Sequence, residues 1–148
     1  MNVLQSFDLI LFGGTGDLAM RKLLPALHRR FLAGQFPPDA RVLGVARTAM
    51  ARDAYGALVE ERCRKDAEGA FDEAQWKRFA DRLFYVSADG QQPDSFGAIV
   101  DFLRGREAVT RIFFLSTAPT LFAGICDQIG RLGLATPQSR VVLEKPLG

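Results

Sequence analysis

The sequence has 148 residues, of which 48% are hydrophobic and 24% charged, a balance that predicts one ordinary soluble domain with a sizeable core. Its 19 basic and 17 acidic residues are spread along the whole length and leave a formal net charge of +2, so no electrostatic footprint for nucleic acid or an anionic membrane is present. No apolar run approaches the roughly 20 residues of a membrane span, and the first residues lack the basic segment and cleavage site of a secretory signal, so a cytoplasmic protein is expected.

The apolar periodicity switches between short continuous runs and helical spacing, which is the signature of an α/β fold. Phe7 to Phe12 (FDLILF) reads as a strand buried on both faces, and its end runs into glycines. A helix is predicted from about Asp17 to Ala33, with Leu24, Leu27 and Phe31 on its apolar face and Gly34 as a left-handed cap. Pro25 removes one backbone donor inside it, so a bend is expected near Arg21 or Lys22. Arg41 to Ala46 is the second strand, followed by a helix burying Tyr55, Leu58, Val59 and Cys63.

Trp76, Phe79, Ala80 and Leu83 mark a further amphipathic helix before a third strand, Phe84 to Ser87. Beyond the breakers Asp89 to Pro93 come a helix to about Arg104 and a strand at Ile112 to Ser116. Pro119 opens a helix whose core stripe is Leu121, Phe122, Ile125, Ile129 and Leu132, ended by Gly133. A last strand, Arg140 to Glu144, leads into Lys145 and Pro146. Five strands alternating with helices predict a Rossmann-type, three-layer, doubly wound parallel sheet, as a single domain over residues 1–148.

Cys63 and Cys126 lie far apart, outside any CxxC spacing and away from histidine, so neither zinc site nor disulfide is indicated, and both are expected as small buried hydrophobes on helical stripes. The single histidine, His28, sits beside Arg29 and Arg30 and is expected at the surface.

The chemical signal is Gly13-Gly14-Thr15-Gly16-Asp17-Leu18-Ala19, between the first strand and the first helix. Read from Gly14 as G-x-G-x-x-A, its small residues allow a tight turn, approach of a pyrophosphate to bare backbone, and close helix packing. The helix N-terminus adds unpaired N–H groups and a partial positive charge. Asp17 reads either as a favourable acid at a helix start or as a ligand contact. The GxxxxGK[ST] phosphate loop is absent.

At the end of the second strand, where an NAD site carries an acid for the adenosine ribose, the chain reads Val45-Ala46-Arg47-Thr48. A guanidinium clamps a 2′-phosphate with parallel donors, and a threonine hydroxyl adds another, so the cofactor expected is NADP. The competing reading of Arg47 is a solvated surface charge.

FGGTGDLAMRKLLPALHRRFLAGQ, GVARTA, LSTAP and VVLEKPLG, in this order and spacing, closely resemble the coenzyme domain of the glucose-6-phosphate dehydrogenases, particularly the bacterial ones. The resemblance implies an oxidoreductase of carbohydrate metabolism, in the pentose phosphate pathway. It would oxidise the C1 hydroxyl of glucose 6-phosphate and pass the hydride to NADP, as a homo-oligomer of full-length subunits. Gly13 to Leu18 then resemble the diphosphate loop, with Thr15 a direct donor, and Arg47 resembles the residue contacting the 2′-phosphate.

By the same resemblance Asp89 and Gly90 lie near the adenine, although they read equally as a turn, and Ala118 and Pro119 pass the nicotinamide ribose. Lys145 faces coenzyme and sugar, donating to the reacting hydroxyl, with Pro146 aiming it through a cis bond; its alternative is a surface lysine. The family's histidine base and its HYLGKE-like sugar-phosphate segment follow EKPLG and do not occur here. These residues are therefore expected to be a domain without its substrate domain, binding NADP weakly and turning over nothing.

Two other readings stay open. A glucose–fructose oxidoreductase type of dehydrogenase also uses Lys-Pro after a strand, and a non-catalytic NADP-sensing domain needs no acid–base pair. A short-chain dehydrogenase is disfavoured, because neither Tyr55 nor Tyr85 has a lysine four residues on.

Overall fold

The structure, a computed structural model, describes residues 6–143. Five parallel strands, β1 (Phe7–Phe12), β2 (Arg41–Ala46), β3 (Leu83–Ser87), β4 (Thr110–Leu115) and β5 (Ser139–Leu143), form one sheet in the order β3-β2-β1-β4-β5. The helices are α1 (Leu24–Leu32), α2 (Arg52–Ala67), α3 (Glu73–Ala80), α4 (Gly97–Leu103) and α5 (Phe122–Arg131). This is the doubly wound arrangement that the alternating pattern predicts, and the strand order reverses between β1 and β4.

Parity along β1 explains the three layers, since successive side chains leave opposite faces. Leu9 and Leu11 join Val42, Leu83 and Tyr85 against α1, α2 and α3. Ile10 and Phe12 join Leu43, Val45, Phe113 and Leu115 against α4 and α5. Right-handed crossovers place the helices of the two half-sheets on opposite faces in this way. The register sets Phe12 opposite both Val45 and Leu115, and Val45 opposite Val86, so four strands end at one level and their loops share one rim.

The first helix takes up the proline as a π-helical turn, Ala19–Leu23, in which the Leu24 N–H donates to the Ala19 carbonyl. Where a bend is expected near Arg21 or Lys22 the structure has this wider turn: Pro25 has no N–H to continue the four-residue ladder, and one extra residue accommodates the gap. Gly34 (φ +74°) and Gly133 (φ +66°) end their helices as predicted. In each case two further N–H groups close back on the last turn: Gly34 to Phe31 and Gln35 to Arg30, Gly133 to Gly130 and Leu134 to Ile129.

Several sequence expectations are corrected. Leu83 begins β3 rather than ending a helix. Leu58 is 42% exposed, because α2 buries the i, i+4, i+8 line of Tyr55, Val59 and Cys63 and leaves Leu58 on its flank. Leu132 is 41% exposed at the C-cap, past the last turn that packs. Cys63 is buried but Cys126 is exposed, one helical step from the Ile125, Gln128 and Ile129 face of α5.

His28 is the largest departure. It is buried rather than at the surface, four residues from Leu24 on the inner face of α1, within 5.2–5.9 Å of the rings of Phe71, Trp76 and Phe79. Its Nε2 has no hydrogen-bond partner. Burial pushes its pKa down, Asp66 opposes that, and Arg29 adds to it. The Arg29-Arg30 neighbours point to a polar face, but Arg29 pairs with Asp66 of α2 at the surface and His28 faces inward.

Candidate functional site

The shared rim at the carboxyl ends of β1 to β4 encloses a cleft of about 480 Å³. Crevices there are where open α/β sheets bind ligands, because the strand order reverses and adjacent loops diverge. Its floor is the glycine turn. The N–H groups of Gly13 and Gly14 both donate to the Val45 carbonyl (2.9 and 3.0 Å), which fastens the turn to the end of β2. Gly16 N–H donates to Gly13 O (2.9 Å), and Met20 N–H to Gly16 O.

Two of these glycines are required sterically. Gly13 has φ +82°, and a Cβ there would lie 2.8 Å from the Ser116 carbonyl at the end of β4. A Cβ on Gly14 would lie 2.9 Å from both Gly44 Cα and the Tyr55 hydroxyl. The backbone is thus bare where β1, β2 and β4 converge. Among the described residues the N–H groups of Thr15, Asp17 and Leu18 have no acceptor, so three donors remain at the opening of the first helix.

Of the residues singled out in the sequence, Gly13, Thr15, Gly16, Arg47, Thr48, Asp89, Gly90 and Ala118 line this cleft together. Gly14 is buried behind the turn, and Asp17, Leu18 and Pro119 do not line it. Asp17 instead pairs with Arg21 at 2.9 Å, both largely in solvent, as an acid at a helix start. Pro119 opens a 3-10 turn, Pro119–Leu121, that leads into α5. Lys145 and the Lys145 to Pro146 bond lie outside the described residues.

The walls differ in character. Arg47 and Thr48 are exposed on the β2 side. On the far side, the loop after β3 lies against α5 so closely that a Cβ on Gly90 would come within 2.9 Å of Ile125. Asp89 accepts from Gln91 N–H and its own N–H is held by Ser95 Oγ, which makes the turn reading of Asp89-Gly90 true of its backbone. Leu121 and Ile125, read as core positions, also face the cleft and supply an apolar wall.

Residues missed in the sequence hold this site from behind. The Tyr55 hydroxyl, fully buried, donates to the Gly14 carbonyl at 2.8 Å. Burial pushes its pKa well up, with Tyr85 adding to the rise, so it stays a donor. Gly44 makes room for that ring, since a Cβ there would run into it. Ser116, inside the LSTAP segment, donates to the Phe12 carbonyl at 2.8 Å. Only Gly44, a glycine in the middle of a strand, signals a close approach in the sequence itself.

A dinucleotide fits this donor set: bare backbone and free N–H groups for the diphosphate, a guanidinium and a hydroxyl on the β2 side, and an apolar wall facing them. Comparison with known proteins points the same way. The profile of the family described as "Glucose-6-phosphate dehydrogenase, NAD binding domain" matches residues 10–148. A glucose-6-phosphate 1-dehydrogenase of Rhizobium meliloti (strain 1021) is 37% identical over 145 residues, 97% of this chain and 30% of the relative.

Among solved structures, glucose-6-phosphate 1-dehydrogenase from Mycobacterium avium is 29% identical with a TM-score of 0.85, over 97% of this chain and 30% of the other. A glucose-6-phosphate dehydrogenase in complex with its substrate glucose-6-phosphate gives 26% and 0.84, over 97% and 31%. The chain therefore spans about 30% of the length of the relatives it matches.

Proposed function

Because the chain belongs to the glucose-6-phosphate dehydrogenase family, as its NAD binding domain, we propose that the cleft holds NADP for an enzyme moving hydride from C1 of glucose 6-phosphate to that cofactor. The observation that carries the choice of NADP is Arg47. It stands exposed at the carboxyl end of β2, beside Thr48, with no acid near it in sequence and no carboxylate partner among the described residues. A free guanidinium there repels nothing in a 2′-phosphate and offers it paired donors, whereas a ribose hydroxyl pair needs an acceptor.

The bound dinucleotide would supply the hydride acceptor, and the chain's own residues bind and orient it. On this reading the N–H groups of Thr15, Asp17 and Leu18 receive the diphosphate, Gly13 and Gly16 let it approach while Gly14 lets the turn that holds it pack on β2 and Tyr55, and Asp89 with Gly90 border the adenine. Ala118 and Pro119 pass the nicotinamide ribose, and Lys145 donates to the reacting hydroxyl. No helix among the described residues is long and apolar enough to cross a membrane, and the enzyme is read as a cytoplasmic homo-oligomer. Family membership favours this reading over a glucose–fructose oxidoreductase type and over a sensing domain.

Titrating NADP and NAD against the protein and its Arg47→Ala variant tests the choice of cofactor. Removing charge-assisted hydrogen bonds of about 1.5–3 kcal/mol lowers NADP affinity by roughly 10- to 100-fold and leaves NAD unchanged. Equal loss for both cofactors rejects the 2′-phosphate contact.

A further inference from the structure

Two tyrosines that no cofactor-binding motif contains link the glycine turn to the loop after β2. Tyr55 on α2 and Tyr85 on β3 pack ring to ring, 4.8 Å between centroids and 31° apart in plane. Their hydroxyls diverge. Tyr55 donates to the Gly14 carbonyl in the glycine turn, and Tyr85 donates to the Thr48 carbonyl in the loop after β2. Next to that contact Ser87 Oγ, also from β3, donates to the Arg47 carbonyl at 2.9 Å.

The direction of these bonds matters because a trans peptide sets its C=O and N–H on opposite sides. Drawing the Gly14 carbonyl down onto Tyr55 turns the Thr15 N–H the other way, towards the cleft that Thr15 lines. Holding the Arg47 and Thr48 carbonyls against β3 likewise fixes the stretch of backbone from which both side chains project. One ligand has to satisfy both places together, and the ribose that joins its diphosphate and 2′-phosphate limits how far apart they reach, so the separation of the two anchored loops determines whether both sets of bonds form.

We infer that Tyr85 and Ser87 are positioning residues for the 2′-phosphate and Tyr55 for the diphosphate, and that the stacked tyrosine pair sets the spacing on which preference for NADP over NAD depends. This inference rests on the NADP reading given above. It separates the roles of three hydroxyls that contact only backbone, and it makes Arg47 insufficient alone: a guanidinium on an unanchored loop loses its bonds to the ordering of that loop.

The test is a set of hydroxyl deletions read as affinities for NADP, NAD and 2′,5′-ADP, with melting temperature recorded for each variant. Tyr85→Phe and Ser87→Ala are each expected to lower affinity for NADP and 2′,5′-ADP by about three- to tenfold, the worth of a hydrogen bond of ~1 kcal/mol, with NAD unchanged. Tyr55→Phe is expected to lower NADP and NAD alike. In the Arg47→Ala background Tyr85→Phe should have a smaller effect on NADP than it has alone, because of the two groups it positions only Thr48 is left.

Ser87 is exposed, so its variant is secure against failure to fold even if a tyrosine variant is not. Loss of NADP and NAD in equal measure in both Tyr85→Phe and Ser87→Ala, in step with lower melting temperatures, would mean a purely structural role and overturns the inference. So does an unchanged NADP-to-NAD ratio in both, while Arg47→Ala still abolishes the preference; that outcome leaves the functional reading standing. An unaltered protein that binds neither cofactor overturns both.

Discussion

At the amino end of the sheet Arg41 and Arg106 each close on Asp8 with two hydrogen bonds of 2.9–3.0 Å, while at the carboxyl end Arg47 stands in solvent with no carboxylate partner among the described residues. The same side chain is structural in one place and available in the other. Asp8 is fully buried, and both guanidiniums also reach carbonyls, of Phe102 and Asp39. Burial alone would raise the Asp8 pKa, but hydrogen bonds from Arg41 and Arg106 and their charges outweigh it and hold the carboxyl below its usual range. Parallel strands separate the two tasks: one end closes the fold and the other end is left with loops that diverge.

The largest effect expected from this division is at Asp8. Asp8→Ala leaves two partly buried guanidiniums without their acceptor and should lower the unfolding free energy by about 3–5 kcal/mol, measured by denaturant titration. Cofactor affinity of the molecules that remain folded should not change. A variant of normal stability, or one that folds but loses NADP, would erase the distinction between the ends. The pH sign follows from the lowered pKa: the Asp8 contribution is whole above the unfolded value, near 3.9, and is lost as pH falls through the lower folded value.

His28 gives a smaller effect in a different window. Its folded pKa lies below the unfolded value of about 6.5, so the unfolded chain takes up a proton first and stability falls as pH drops below that point. His28→Leu should flatten the stability profile between neutral pH and the acid limb that belongs to Asp8, without changing cofactor affinity. A profile with the same slope in the variant would show that another group titrates there.

The fold was legible because its signals are local. Short apolar runs gave all five strands to within two residues at either end, and Gly34 and Gly133 stopped their helices by conformations that side chains disfavour. The glycine turn was legible because bare backbone has few other uses between a buried strand and a helix. What escaped the sequence is what depends on contacts distant along the chain. Asp8 meets residues 33 and 98 positions away, and Tyr55 meets Gly14 across 41. His28 looked polar beside two arginines, yet three aromatic rings from another part of the chain enclose it.

Amide chemical shifts followed while NADP is added to the protein bear most directly on where the ligand sits. The rim at the carboxyl ends of the strands predicts movement at Thr15, Gly16, Arg47, Gly90 and Ala118, with Asp8, Arg41 and Arg106 still. Shifts centred on the amino end of the sheet, or none at saturating cofactor, would contradict it.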